Sequence, residues 1–282
     1  MGFGVVSLLD AVFWRAFTSA GLRPGSAAVD ADTTIHFWAH RSLLPSTATT
    51  TEQQQQQKRP VVVLVHGFGP GPTWQWAAQV GPLSRHFDLV VPTLLFFGAS
   101  RTRTPARSEA SQAAAVAALL AGGQHLPGLG PGRTVHVVGA SYGGIVAYHL
   151  ARALLQQQQQ RQRVGGGGGG LALGLKASTF LMQRSLEDRR EEKIELIKGM
   201  TTAGGSQLTP LPLEVLIIWG EFDQIFPLEK AYVVKEKLGE KAMVKVIPNS
   251  GHLPAQEDPK LFNRILLEFL LQLSNSNAAA AL

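Results

Sequence analysis

The chain has 282 residues, 45% of them hydrophobic and 16% charged, with a formal net charge of +6. That length carries one α/β domain with a full core, or two small domains, at the composition of an ordinary water-soluble globular protein. The absence of cysteine excludes disulfides, thiolate nucleophiles and cysteine-ligated metal centres. The cations Arg101, Arg103, Arg107, Arg161, Arg163, Lys235 and Lys237 are scattered and form no basic stripe interleaved with aromatics, so no nucleic-acid partner is expected.

Residues 3–17 are apolar but broken by Asp10 and Arg15, too short and interrupted to span a bilayer. No basic start precedes them as in a secretory signal, and Val6 stands where a myristoylation pattern needs Ser or Thr. They read as a helix that packs on the domain, with peripheral membrane contact through 3–17 as the other option. A cytoplasmic location is the expectation.

Strands are then predicted at Thr34–His40, Val61–His66, Phe87–Val91, Thr134–Val138, Leu171–Lys176, Glu214–Trp219 and Ala242–Ile247. The runs Val61–Val65 and Val215–Trp219 are continuously apolar and β-branched, as in strands buried on both faces of a parallel sheet. Helices are predicted at 74–86, 108–121, 144–155, 185–198, 228–238 and 259–273, each near a polar or proline start signal such as Asp258-Pro259. Strand and helix alternate, which gives an α/β fold with a largely parallel sheet and helices on both faces. The tracts Gln53–Gln57, Gln156–Gln160, Gly165–Gly170 and Ala278–Ala281 cannot pack a core and are placed in loops or chain ends. The resulting division is an apolar helix and connector over 1–29, a core in two parts over 30–176 and 214–275, an insert over 177–213 and a disordered tail over 276–282.

Residues 139–143 read Gly-Ala-Ser-Tyr-Gly between a strand and a helix, the setting of a nucleophile elbow with Ser141 at its tip. A serine needs a base, and the base needs an acid that orients it. On this scaffold the acid and then the histidine follow the serine, each after a late strand. Asp223, in Trp219-Gly-Glu-Phe-Asp223, and His252, in Asn249-Ser-Gly-His252, stand in those places, 82 and 29 residues apart along the triad. Glu221, Glu187, Asp188 and Asp258 compete for the role of acid. Asp223 is preferred because its short side chain sits deeper in the turn. His66-Gly-Phe-Gly69 after strand 61–65 lets backbone N–H groups approach a substrate, so the N–H groups of Phe68 and Tyr142 are the expected oxyanion hole, with His66 bracing the loop. His36, His40, His86, His125, His136 and His149 have no partner motif, no metal site is expected, and no cofactor is implied.

These four segments in chain order resemble the α/β-hydrolase superfamily over roughly residues 30–275. Thr73-Trp-Gln-Trp76, Leu94-Leu-Phe-Phe-Gly98 and Ser141-Tyr-Gly-Gly144 resemble plant serine hydrolases, similar to monoacylglycerol lipases and to hydrolases that cleave carbon–carbon bonds. The resemblance implies an eight-stranded sheet, a Ser-His-Asp triad and ester or related acyl substrates, and it excludes epoxide hydrolysis, which would need Asp in place of Ser141. Two departures stand out. Thr93 follows Pro92 where relatives carry Asp, which puts that loop in question, and the interval 177–213 is only 37 residues, a shortened lid.

The expectation is a serine esterase, acylglycerol-like in its taste for a substrate with an apolar acyl part. Phe68, Trp74, Phe96, Phe97 and Phe226 are candidates to line the pocket. The alternatives are a non-catalytic small-molecule binding protein or receptor, or a truncated inactive relative on the same fold.

Overall fold

A computed structural model of the chain describes residues 3–45, 59–130, 132–163, 172–178, 191–196 and 208–279. The first half runs α1 (Phe3–Ser19), β1 (Leu22–Ala28), β2 (Thr33–His40), β3 (Val61–Val65), α2 (Pro72–Ser84), β4 (Asp88–Pro92), the two-residue β5 (Arg101–Thr102) and α3 (Glu109–Leu120). The second continues with β6 (Thr134–Ala140), α4 (Tyr142–Arg163), β7 (Ala172–Ser178), the helical turn α5 (191–196), β8 (Val215–Gly220), α6 (Glu229–Leu238), β9 (Ala242–Ile247), α7 (Pro254–Glu257) and α8 (Pro259–Ala279).

Hydrogen-bonded strands follow the order β1-β2-β4-β3-β6-β7, with β5 beside β2. The pairs involving β1 and β2 are antiparallel, while β4, β3, β6 and β7 run parallel. A second parallel ladder joins β8 to β9. Among the described residues no ladder links β7 to β8, although the two strands lie side by side. The sheet is mixed and covered on both faces. Along β3, Val61, Val63 and Val65 enter one core with Val116 of α3 and Val146 of α4, while Val62 and Leu64 enter the other with Trp76 of α2 and Phe262 of α8. β8 divides in the same way, Ile217 and Trp219 against Leu216 and Ile218. Side chains alternate across a pleated strand, so a continuous apolar run feeds two cores at once.

Three expectations change. β1 occupies the stretch read as a connector within 1–29. Pro24 and Gly25 look like turn residues, but β1 is an edge strand, where a proline need not donate to a ladder, and Gly25 lies against the Phe37 ring. The loop expected over Gln156–Gly170 is helical up to Arg163, because glutamine is a good helix former and α4 simply propagates through Gln156–Gln160; residues 164–171 lie outside the described residues, as does Gln53–Gln57. Residues 276–279 of the expected tail continue α8: the helix propagates through Ser276 and Asn277 into Ala278 and Ala279, alanine being the strongest helix former.

α1 packs through Phe17, which is fully buried, and both Phe17 and Trp14 meet the Trp38 ring edge-on, at 5.2 and 4.5 Å. Leu8, Leu9 and Val12 nearer its start are exposed. Among the described residues no helix is long and apolar enough to cross a membrane.

Candidate active site

Ser141 follows β6, which ends at Ala140, and immediately precedes α4; its φ of 59° places it in the left-handed region that side chains other than glycine rarely adopt. The turn closes through the Gly144 N–H, which donates to Ser141 O at 2.7 Å. Its neighbours tolerate no bulk. A Cβ at Gly139 would lie 2.1 Å from Gly143 O, and one at Gly143 would lie 2.4 Å from both Val65 O and His66 O. Tyr142 is the first residue of α4, so its N–H has no partner within the helix and stands at the positive end of the helix dipole.

The loop after β3 packs onto the serine. A Cβ at Gly67 would fall 2.6 Å from Ser141 Cβ and 3.2 Å from Oγ, so only glycine lets this backbone come so close. Gly67 N–H donates to Gln75 Oε1 of α2 at 2.7 Å, which fixes the peptide ahead of Phe68. His66 is wholly buried. Its Nε2 accepts from Leu94 N–H at 3.0 Å, so Nδ1 carries the proton and donates to Gly67 O at 2.7 Å. Burial pulls its pKa down to about 4, and His66 is a neutral brace. The Phe68 ring meets Tyr142 and Phe97 edge-on at 4.8 and 5.3 Å.

Thr93, in the place of the expected Asp, does not leave its loop open. Thr93 N–H donates to His36 O at 2.8 Å, and Ser100 Oγ donates to Thr93 O at 2.7 Å. Gln112 of α3 then pairs with both main-chain groups of Leu95, at 2.8 and 3.0 Å. Phe96 has a φ of 72° and is buried with Phe97, so both belong to the core beneath the loop. Of the 177–213 interval only 177–178, α5 and 208–213 are described. α5 rests on this loop, with Lys193 Nζ 5.1 Å from the Phe97 ring and Glu195 3.3 Å from Arg107.

Asp223 and His252 come together after the parallel strands β8 and β9. His252 Nδ1 donates to Asp223 Oδ2 at 2.5 Å, and the other carboxylate oxygen accepts from the N–H groups of Ile225 and Phe226 at 2.9 Å each. With Nδ1 bearing the proton, Nε2 keeps its lone pair; it is buried and without a hydrogen-bond partner. The Phe226 ring stands 5.6 Å from the imidazole. Glu221 does not reach the imidazole: its carboxylate accepts from Asn249 N–H at 3.0 Å. Asp258 caps α8 through Leu261 N–H, and Glu187 and Asp188 lie outside the described residues.

Residues that motif reasoning passed over hold this arrangement. Glu257 accepts from the N–H groups of Gly251 and Leu253, on either side of His252, at 2.5 and 2.7 Å. Gln75 and Gln79 lie within the buried stripe of α2 with Trp76, Val80 and Leu83. Two amides on the apolar face of a helix are a signal legible in the sequence once the helix is placed.

Gly220 ends β8 against the histidine loop, where a Cβ would sit 1.8 Å from Gly251 O and 2.6 Å from Ser250 O. Gly220→Ala must therefore displace the backbone next to His252. We expect kcat/KM for a p-nitrophenyl ester to fall about 100-fold, since ångström-scale misplacement of a reacting group costs that much. An unchanged rate in the folded variant would contradict this.

Among the described residues no group of three or more His, Cys, Asp or Glu side chains could hold a metal ion. The sequence signature of the alpha/beta hydrolase family matches residues 62–265. No curated protein sequence matched. Among solved structures, a bacterial membrane phospholipase A is similar, with a TM-score of 0.67 at 19% identity over 97% of this chain and 94% of its own. The 2-hydroxy-6-oxo-6-phenylhexa-2,4-dienoate hydrolase of Rhodococcus sp. strain RHA1 gives 0.62 at 17% identity over 88% and 98%. A thermophilic esterase of Thermogutta terrifontis gives 0.60 at 21% identity over 89% and 98%. At these identities the likeness is one of fold, and the sequence signature, which spans more than half of the chain, makes it a member of the alpha/beta hydrolase family.

Proposed function

We propose that the protein is a serine hydrolase that cleaves carboxylic esters through an acyl-enzyme. The observation that carries this reading is His252, tied by Nδ1 to Asp223 at 2.5 Å with its buried Nε2 unengaged. In the reaction Ser141 Oγ attacks the ester carbonyl while Nε2 takes its proton. The oxyanion is held by the N–H groups of Phe68 and Tyr142, the second at a helix N-terminus. Collapse expels the alcohol, which takes the proton from His252; water, deprotonated by the same nitrogen, then hydrolyses the acyl-enzyme and restores Ser141. Asp223 holds the tautomer and stabilises the imidazolium that forms in each half-reaction.

Phe68 above the Ser141 loop and Phe226 beside His252 support an apolar acyl group, as in an acylglycerol. The 37-residue interval over 177–213 gives, on this reading, a less selective site than a full lid would. A fluorophosphonate probe should label Ser141, and p-nitrophenyl esters should be turned over with a preference for longer acyl chains. Well-folded protein that takes no label would sink the proposal in favour of a binding protein on the same fold. Rates independent of chain length would remove the lipid-like part alone.

A further inference from the structure

Among the described residues, the serine and its proposed base follow strands of two separate ladders. Ser141 and the Phe68 loop follow β6 and β3 of one sheet, whereas Asp223 and His252 follow β8 and β9 of the other. Within the second unit the two loops are tied directly: Phe222 N–H donates to Ser250 O at 2.8 Å, and Asn249 N–H to Glu221 at 3.0 Å. The acid and the base are thus fixed to each other, and the unit packs against the serine's sheet with β8 beside β7 and with Leu216 and Ile218 in one core with Val138 and Ala140 of β6.

α2 reaches both. Gln75 grips Gly67 N–H on the serine side at 2.7 Å. One turn later Gln79 Nε2 donates to Ala255 O, three residues beyond His252, also at 2.7 Å. Residues four apart lie on the same face of a helix, so one rigid element touches both loops. Asn263 of α8 strengthens the same contact by donating to Ala78 O at 2.9 Å.

The chemistry of Gln79 argues against a role in packing alone. It is fully buried among apolar side chains, and its Oε1 has no hydrogen-bond partner. A buried unpaired oxygen is destabilising, and an apolar residue of similar size would avoid that cost. What the amide adds is its donor to Ala255 O.

We propose that Gln79, acting with Gln75, is a positioning residue that sets the distance between Ser141 and His252. The inference rests on the serine-hydrolase reading. Gln79→Met preserves volume and removes the donor. The expected result is a fall in kcat of roughly 10–100-fold, with KM changed by less than about threefold and thermal unfolding little altered. A structural role alone predicts a lower melting temperature with kcat per folded molecule intact, and that result would overturn the proposal.

Gln79→Glu gives a second variant should the first not fold. Its buried carboxyl donates to Ala255 O only while protonated, so activity relative to the wild type should fall as pH rises through its titration. A ratio independent of pH counts against the tie.

A readout that needs no turnover separates failure of this inference from failure of the functional reading. The chain has no cysteine, so Ala110→Cys on α3 and Lys235→Cys on α6, both exposed, accept spin labels without background. The interspin distance distribution should broaden on adding Gln79→Met. If fluorophosphonate fails to label the wild type, the enzyme reading falls and this distribution alone decides: broadening supports the tie, and an unchanged distribution removes it.

Discussion

Ser141→Ala should lower kcat for a p-nitrophenyl ester by roughly 10⁴–10⁶-fold, with little change in KM. On the serine-hydrolase reading, the substitution removes the attacking atom and leaves the proposed acyl pocket and the N–H groups of Phe68 and Tyr142 in place. Residual hydrolysis above the rate in water is therefore expected from binding and the oxyanion site. His252→Ala should cost a similar factor, and the double variant should be no worse than either single one, because a nucleophile without its base and a base without its nucleophile are equally idle. Asp223→Asn tests the third member. An amide at that place can donate to Nδ1, favouring the tautomer that protonates Nε2, and a loss of about 10⁴-fold follows. Losses that simply multiply would show that the three residues do not act as a unit. Full activity in Ser141→Ala would remove the nucleophile altogether.

The second large effect is on stability and lies at the other end of the sheet. Asp88 opens β4 and is buried with Arg133, which directly precedes β6. Arg133 Nη2 donates to Asp88 Oδ2 at 2.6 Å, Arg59 ahead of β3 donates to Oδ1 at 2.5 Å, and Ser42 Oγ donates to Oδ2 at 2.7 Å. His40, the last residue of β2, stands 3.1 Å from the same carboxylate. One side chain thus ties together four strands. Asp88→Ala leaves the Arg133 guanidinium, 4% exposed, without its counter-ion, and breaking one partner of a buried pair costs about 3–5 kcal/mol. At about 2–4 °C per kcal/mol for a chain of this order, the melting temperature should drop by roughly 6–20 °C.

The pH dependence carries a definite sign. Burial pushes the Asp88 carboxyl upward, but hydrogen bonds from Arg133 and Ser42 and the charges of Arg133 and Arg59 outweigh it and hold the pKa below its usual 3.8. The stabilisation is therefore complete above that unfolded value and is lost as pH falls through the lower folded one. Wild type and variant should converge in strong acid and separate toward neutrality. Activity per folded molecule should be equal, since the network is remote from Ser141. A variant that melts within a degree of the wild type at neutral pH would refute this account.

Local signals carry much of the site. The elbow at Ser141 is legible because a tight turn needs glycine at 139 and 143, and Asp223 and His252 because each follows a strand whose apolar run marks it. The edge strand β1 was hidden by Pro24 and Gly25, whose meaning depends on whether a neighbouring strand exists. Gln156–Gln160 has no pattern that separates a helix from a loop; only the helix already running through α4 decides it. Thr93 looked like a weakness in its loop because its substitutes, Ser100 and Gln112, are 7 and 19 residues away along the chain.

The sequence by itself determined the alternation of strand and helix, the two-faced burial of β3 and β8, and the chain order of Ser141, Asp223 and His252, each behind a strand. Those follow from side-chain periodicity and backbone sterics, which act over a few residues. The tertiary structure alone decided which carboxylate meets His252, which tautomer His66 adopts, and that two buried glutamines on α2 reach loops on separate ladders. Such choices turn on hydrogen bonds between groups as far apart as Gln79 and Ala255, 176 residues along the chain, and only folding brings them within 2.7 Å.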